Sequence, residues 1–270
     1  MKIKQSLTTL NHLRKSFAKQ PSLFKQILYA IPAICNANQY SKSYKDSLPE
    51  NTLLKKVGEN PLWDYFQNHK EGHGIWKWEH YFDIYHRHLA KFVGKKVDVL
   101  EIGIYSGGSL EMWRSYFGEK CHIYGVDIED ACSEYENDYV SVFIGDQESP
   151  FFWNDFKNKI EGVDVLIDDG GHTAGQQKVT LEQMLQHIRP GGVYICEDIH
   201  GTFNEFSAYA TGLVNELNNM ENTEFQSAIH SIHFYPYMLV IEKNSVRVNK
   251  LNAPKHGTIW QPFFNNTKNQ

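Results

Sequence analysis

Cysteine is scarce in this 270-residue chain: four residues, Cys35, Cys121, Cys132 and Cys196, with no Cys-x-x-Cys spacing. That is too few and too scattered for a disulfide scaffold, and it points to reduced thiols and a cytoplasmic setting. Long apolar runs are absent as well. No stretch of about 18 uncharged apolar residues occurs, so a membrane-spanning helix is not expected. Positive charge is in deficit, with 27 Lys and Arg against 32 Asp and Glu and a net charge of −5. This argues against a general nucleic-acid binder, because phosphate contacts need a basic surface. Internal repeats and low-complexity tracts are missing too. What remains is an ordinary globular composition, 41% hydrophobic and 22% charged, too apolar for disorder. On a prior of roughly 150 residues per domain, one α/β domain with an appendage fits the length as well as two small domains.

One absence is local. Residues 1–45 contain no Asp or Glu but eight cations: Lys2, Lys4, Arg14, Lys15, Lys19, Lys25, Lys42 and Lys45. The remainder therefore carries −13, from 19 basic and 32 acidic residues. Within this arm Leu10, Leu13 and Phe17 recur at helical spacing, as do Leu23, Ile27 and Ile31, before Pro32, which is expected to end the run. The apolar part comes late and no small-residue cleavage site follows it, so a secretory signal is not expected. A single Arg gives little support to a transit peptide. The arm reads first as a helix packed on the catalytic domain or on a second subunit of a homo-oligomer. The alternative is a basic amphipathic helix making peripheral contact with an anionic membrane.

Residues 46–75, with Pro49, Gly58, Pro61, Gly72 and Gly74, read as a connector with short helical pieces. A helix is expected from Trp76 to Phe92, with Tyr81, Tyr85, Leu89 and Phe92 on one stripe. Strands are then expected at Val97–Ile102, His122–Val126, Val140–Ile144, Val163–Ile167 and Val193–Cys196. Helices fall between them, through Leu110 to Phe117, near Phe151–Ile160, and through Leu181, Leu185 and Ile188 to a terminator at Arg189-Pro-Gly-Gly192. A helix over Glu205–Leu217 follows, and Ile229–Phe234 and Met238–Glu242 flank Tyr235-Pro236-Tyr237 as a closing strand pair. Alternating strands and helices with continuous apolar strands predict a parallel sheet covered on both faces, with an antiparallel edge.

Ligands of such folds bind where strands end and turn into helices. The first strand ends in Glu101-Ile-Gly103-Ile-Tyr105-Ser106-Gly107-Gly108-Ser109, a glycine turn whose backbone can approach a ligand, followed by a helix N-terminus with unpaired N–H groups. Asp127 closes the second strand, where an acid can accept both hydroxyls of a ribose. The spacing is not Gly-x-Gly-x-x-Gly, and Glu101 would repel a pyrophosphate while attracting a cationic ligand. That favours S-adenosylmethionine, with its sulfonium and ammonium, over NAD. Gly145-Asp146-Gln147, after the third strand, stands where the adenine ring would lie.

The fourth strand ends in Asp168-Asp169-Gly170-Gly171-His172 and the fifth in Glu197-Asp198-Ile199-His200. Carboxylates gathered on one rim repel one another, and a cation resolves this. Their oxygens suit a hard ion such as Mg²⁺. A bound divalent ion also lowers the pKa of a hydroxyl, and His172 is suitably placed to take the proton. The bland alternative is a set of solvated loop acids with one helix cap.

With these residues, the stretch from about 95 to 243 resembles class I S-adenosylmethionine-dependent methyltransferases. More narrowly it resembles the Mg²⁺-dependent sugar O-methyltransferases of macrolide biosynthesis, relatives of the cephalosporin hydroxylase-like group. The motifs are Glu101-x-Gly103-x-x-x-Gly107-Gly108-Ser109, Gly145-Asp146-Gln147, Asp168-Asp-Gly-Gly-His172, Arg189-Pro-Gly-Gly192 and Glu197-Asp198. The resemblance implies metal ligands at Asp169, Glu197 and Asp198, a general base at His172, and a donor site at Glu101, Gly103, Ser109, Asp127, Asp146 and Asp168. Tyr105, Ser106, Gly107 and Gln147 complete the expected donor contacts. It implies an α/β, Rossmann-like, doubly wound seven-stranded sheet in the order 3-2-1-4-5-7-6 with its last strand antiparallel. The expected organisation is a basic helical arm and connector over 1–75, a catalytic domain over 76–245 and a tail over 246–270. The expected reaction is methyl transfer to a hydroxyl of a sugar or secondary metabolite. An NAD-linked oxidoreductase and a non-catalytic donor-binding scaffold are the alternatives.

Other residues carry less. The aromatic and histidine-rich segment Gly74–His88 reads mainly as core or interface packing, although its rings would suit a sugar face or a sulfonium. His86 and His88, two apart on a helix, do not form a joint metal site. His200, the Tyr235-Pro236-Tyr237 turn and Cys196 read as a loop histidine, a turn and a small core residue.

Overall fold

A computed structural model describes residues 21–45, 59–201 and 204–257. The expected helical repeat at Leu10, Leu13 and Phe17 and the end of the tail, 258–270, lie outside them. The chain divides into two compact units between Lys55 and Lys56. In the first, one helix, α1 (Pro21–Ser43), continues through Pro32 rather than ending there. A proline removes a single N–H donor from the helical ladder, and the apolar sequence on both sides keeps the remaining rungs. Leu28, Ile31 and Ile34, three residues apart along α1, are each half exposed.

The second unit begins earlier than the expected boundary at residue 75. Helix α2 (Pro61–Asn68) is part of it: Asn60 caps the helix by accepting the N–H groups of Leu62 and Trp63, and Leu62 is buried in the core. Helix α3 spans Tyr81–Leu89 and runs into a short 3₁₀ turn over Ala90–Phe92. The helix expected from Trp76 therefore starts five residues late, after a strap without regular structure (74–78) and a turn at 79–80. Tyr81, Tyr85 and Leu89 do form the buried stripe.

The remaining elements are β1 (Val97–Ile102), α4 (Gly108–Phe117), β2 (Cys121–Asp127), β3 (Val140–Ile144), α5 (Pro150–Lys159), β4 (Val163–Asp168), α6 (Ala174–Met184), β5 (Ile188–Cys196), α7 (Glu205–Leu217), α8 (Glu224–Ala228), β6 (Ile229–Tyr235) and β7 (Met238–Lys243). They build one seven-stranded sheet in the order β3-β2-β1-β4-β5-β7-β6, with β7 antiparallel to both neighbours. The sheet order and antiparallel edge match the expectation. Arg189-Pro-Gly-Gly192 does not end a helix. It lies within β5, and the β4–β5 register shifts opposite it, so the Gly-rich stretch is absorbed as an irregularity in the ladder. Helix α6 stops at Met184, and Ile188 is a strand residue.

Strand parity separates two cores. In β1, Val97 and Val99 pack with α3 and α4, including Tyr85 and Trp113, whereas Leu100 and Ile102 pack with Trp153 and Phe156 of α5 on the other face. The same alternation assigns Ile167 and Ile195 to the first face and Leu166 and Cys196 to the second. His88 of α3 ties this first layer to the sheet edge by hydrogen bonds to Glu242 of β7 and, at 2.9 Å, to Tyr235 of β6.

Candidate active site

The glycine turn after β1 is shaped by its neighbours as much as by any ligand. Gly103 has φ +82°, and a Cβ there would lie 2.1 Å from the Asp169 carbonyl oxygen, so only glycine lets the first and fourth strand ends meet. Gly107, at φ +77°, caps α4. Asp127 joins the two adjacent loops, accepting the Tyr105 N–H at 3.0 Å and the Glu129 N–H at 3.1 Å. Ser109 donates to Glu101 Oε2 at 2.9 Å. Glu101 is fully buried and its Oε1 has no hydrogen-bond partner. Burial pushes its pKa up against the pull of Lys77. An unpartnered carboxylate oxygen in the core is costly unless a cation meets it.

Parity explains how the Asp168-Asp169 pair divides. Asp168 shares the even-numbered face and points among Gln147, Gly170 and Tyr194, with Gln147 Nε2 donating to it at 2.9 Å. Burial raises its pKa to about 7. Gln147 is thus bonded inward, holding Asp168, Thr180 and the Gly171 N–H, while Asp146 is exposed and accepts the Glu148 N–H. Asp169, Glu101 and Glu197 share the opposite face. There the structure already holds a cation, Lys77 of the strap. Its Nζ lies 2.6 Å from Asp169 Oδ2, 3.1 Å from Glu197 Oε2 and 3.8 Å from Glu101 Oε1, with the side chain 3% exposed. Burial opposes the ammonium, but the three carboxylates outweigh it and hold Lys77 protonated. Glu197 also accepts the Tyr85 hydroxyl at 2.6 Å. Burial and the charge of Asp169 raise its pKa to about 8.

Asp198 is held from the same strap and helix. Its Oδ1 accepts Trp78 Nε1 at 3.0 Å and the Tyr81 hydroxyl at 2.8 Å. Its Oδ2 lies 3.7 Å from His172 Nε2, which is 4.0 Å from Asp169 Oδ1. Asp169, His172 and Asp198 thereby bring ligand-capable atoms within 4.8 Å of one another. The two carboxylates at that spacing fit a divalent ion, and the His172 imidazole stands beside them free to act as a base. The expected trio was Asp169, Glu197 and Asp198; here His172 completes the close group, and Glu197 stands one step back on Lys77 and Tyr85. Lys77, Trp78, Tyr81 and Tyr85 are contacts that the sequence reading assigned to packing. The signal for Lys77 was present: two like-facing buried glutamates demand a positive partner.

Five non-glycine residues among those described have positive φ, and four lie on this rim: Tyr105 (44°), His172 (56°), Asp198 (54°) and Tyr237 (62°). Such conformations cost about 1–3 kcal/mol each and gather where function requires them.

The sheet order and the glycine turn at the strand end are those of a Rossmann-like methyltransferase fold. Residues 100–199 match the family described as a methyltransferase domain. The chain is 29% identical over 202 residues to the 8-demethyl-8-alpha-L-rhamnosyl tetracenomycin-C 2'-O-methyltransferase of Streptomyces olivaceus, covering 64% of this chain and 53% of that protein. It is 36% identical over 122 residues to the demethylmacrocin O-methyltransferase of Streptomyces fradiae, covering 43% of this chain and 30% of that one. Among solved structures, the MycE methyltransferase of the mycinamycin pathway, in complex with Mg, SAH and mycinamycin VI, superposes with a TM-score of 0.58 at 26% identity. That similarity covers 68% of this chain and 53% of the other. The chain thus spans about half or less of the length of these relatives.

Proposed function

We propose that this protein transfers a methyl group from S-adenosylmethionine to a hydroxyl of a sugar or sugar-bearing metabolite, with Mg²⁺ as the assisting ion. The carrying observation is one rim on which a buried Glu101 oxygen without a hydrogen bond adjoins the convergent group Asp169, His172 and Asp198. The tetracenomycin and macrocin relatives and the Mg and SAH of the MycE complex support the choice.

In this reading Glu101 Oε1 pairs with the cationic amino-acid end of the donor. Asp127, whose oxygens each accept one backbone N–H, keeps lone pairs for the ribose hydroxyls. Gly103, Tyr105, Ser106, Gly107 and Ser109 shape the turn around the donor, Asp146 serves its nucleoside end, and Gln147 and Asp168 brace the wall behind. Asp169 and Asp198 would hold the ion, with Glu197 behind them. A divalent ion supplies Lewis acidity, lowering the pKa of a hydroxyl by several units. His172 Nε2, 3.7 Å from Asp198 Oδ2 and 4.0 Å from Asp169 Oδ1, takes the hydroxyl proton. Fixed placement of both reactants then supplies much of the rate, since the methyl must pass in line with the C–S bond.

The direct test is transfer from labelled donor, with Mg²⁺, to a panel of methyl glycosides and phenols, alongside calorimetric titration with S-adenosylhomocysteine and NAD. Binding of NAD alone would favour an oxidoreductase, and donor binding without any transfer would favour a scaffold. Helix α1 adds a separate reading: its half-exposed Leu28, Ile31 and Ile34 and the acid-free, basic sequence around it suit an anionic lipid surface. Intact chain that fails to sediment with vesicles containing phosphatidylglycerol would end that reading.

A further inference from the structure

Three aromatic rings from three separate segments meet beside Asp198. Trp78 comes from the strap, His200 from the loop after β5, and Tyr237 from the β6–β7 turn. Ring centroids are 5.3 Å apart for Trp78 and Tyr237, 4.8 Å for His200 and Tyr237, and 6.2 Å for Trp78 and His200. None of them belongs to the core: Trp78 is 47% exposed and Tyr237 42%, and His200 is exposed as well. Large rings held together at a surface, rather than scattered over it, mark a binding patch.

The Trp78 ring and the Tyr237 backbone are held in place. Trp78 is anchored by its Nε1 bond to Asp198 Oδ1 at 3.0 Å, and His200 Nε2 lies 3.8 Å from the same oxygen. The Tyr237 carbonyl accepts the Ile199 N–H at 3.0 Å and the Tyr81 hydroxyl at 3.2 Å, which locks the turn. Tyr237 adopts φ +62° in a two-residue turn where glycine or asparagine would be unstrained. The fold therefore carries a conformational cost at this position, and its return is the ring.

The chemistry of the patch selects a ligand shape. The Trp78 and Tyr237 rings are tilted by 49°, and His200 stands at 77° and 79° to them. No two are parallel, so they cannot sandwich a flat aromatic acceptor. They offer apolar faces at several angles beside a carboxylate and an imidazole edge, which suits a puckered ring with C–H faces and hydroxyl edges. We propose that Trp78, His200 and Tyr237 form the acceptor platform: a pyranose lies with one C–H face on these rings and presents a hydroxyl toward Asp198 and His172. The proposal rests on the methyl-transfer reading and adds the residues that select the acceptor.

The test uses the full chain with Mg²⁺ and S-adenosylhomocysteine. Saturation-transfer NMR is run with methyl glycosides of rhamnose, glucose, galactose and N-acetylglucosamine, and with catechol, while upfield-shifted protein methyl resonances, clear of every ligand signal, are irradiated. The expected result is transfer to the C–H protons of one face of at least one glycoside, exceeding that to catechol. Tyr237→Gly removes the ring and relieves the backbone, so it should abolish this transfer with thermal stability equal or higher and S-adenosylhomocysteine affinity within twofold. Tyr237→Phe should retain the transfer. A purely structural Tyr237 predicts the opposite pattern, lowered stability with glycoside contact intact, and that outcome overturns the platform. Absence of transfer to every glycoside, or preference for catechol, overturns it as well while leaving methyl transfer standing. Failure to bind S-adenosylhomocysteine sinks the methyl-transfer reading and the platform with it.

Discussion

Replacing Lys77 by Met tests whether an internal cation organises the acidic rim. The change keeps the aliphatic stem but removes an ammonium lying within 3.8 Å of Asp169, Glu197 and Glu101. Two of these acids are fully buried, and Glu101 already has one oxygen without a hydrogen-bond partner. Removing one partner of a buried ion pair typically costs about 3–5 kcal/mol, because the remaining charge is left uncompensated. For a unit of roughly 200 residues, each kcal/mol lowers Tm by about 2–4 °C, so a fall of about 6–20 °C is expected at neutral pH. The loss should shrink on acidification, as the stranded carboxylates take up protons and no longer need the ammonium. Mg²⁺ should restore more stability to the variant than to the parent, since it returns positive charge to Asp169, which Lys77 contacts. Thermal unfolding across pH, with and without Mg²⁺, reads all of this. A variant as stable as the parent at neutral pH and indifferent to Mg²⁺ would show that Lys77 is not the counter-ion of the cluster.

Three further outcomes are expected. His172→Ala should lower methyl transfer by about 10²–10⁴-fold, the usual contribution of a general base, while calorimetry shows donor affinity retained; loss of donor binding alone would contradict the role. Gly103→Ala places a Cβ 2.1 Å from the Asp169 carbonyl oxygen at φ +82°, so it should separate the β1 and β4 ends. That change should weaken both S-adenosylhomocysteine binding and stability, by about 2 kcal/mol or more for strain at a positive-φ site in contact with backbone; a variant that matches the parent in both would refute the packing argument. Finally, the metal-free chain should lose stability as pH rises from about 7.5 to about 8.5. Burial raises Glu197 to about 8 and Asp168 to about 7, so the fold favours their protonated forms and that stabilisation fades as they ionise. His187 and His233, whose pKa values burial lowers, give the opposite slope while the unfolded chain sheds their protons near pH 6.5, which lies below this window. Unfolding midpoints that stay level or climb across this window would contradict it.

Much of this was legible in one dimension. Apolar runs with period-two and helical spacing located the seven strands and most helices, and the glycine turn with the acids at the strand ends marked one rim. The failures are instructive. Pro32 sits inside α1 because one missing donor does not stop a helix whose flanks remain helical. Arg189-Pro-Gly-Gly192 falls inside β5 as the irregular stretch between Ile188 and Val193, the residues that pair with Val163 and Val165 of β4. The helix expected from Trp76 does not begin there, and residues 76–78 stay outside it with Lys77 and Trp78 bonded to Asp169, Glu197 and Asp198. A charge interaction across 92 and 120 residues of sequence outweighs local helical preference there.

Sequence alone determined the sheet, its order through family resemblance, and the chemical inventory of the rim, because periodicity and residue type are local properties. Tertiary structure decided which acids face one another. Strand parity turned Asp168 away and Asp169 inward, and packing of α3 brought Tyr81 and Tyr85 onto Asp198 and Glu197. It also gathered Trp78, His200 and Tyr237 from distant segments. Convergence of side chains from separate strands depends on the folded geometry of the whole sheet, and no pattern within a single segment encodes it.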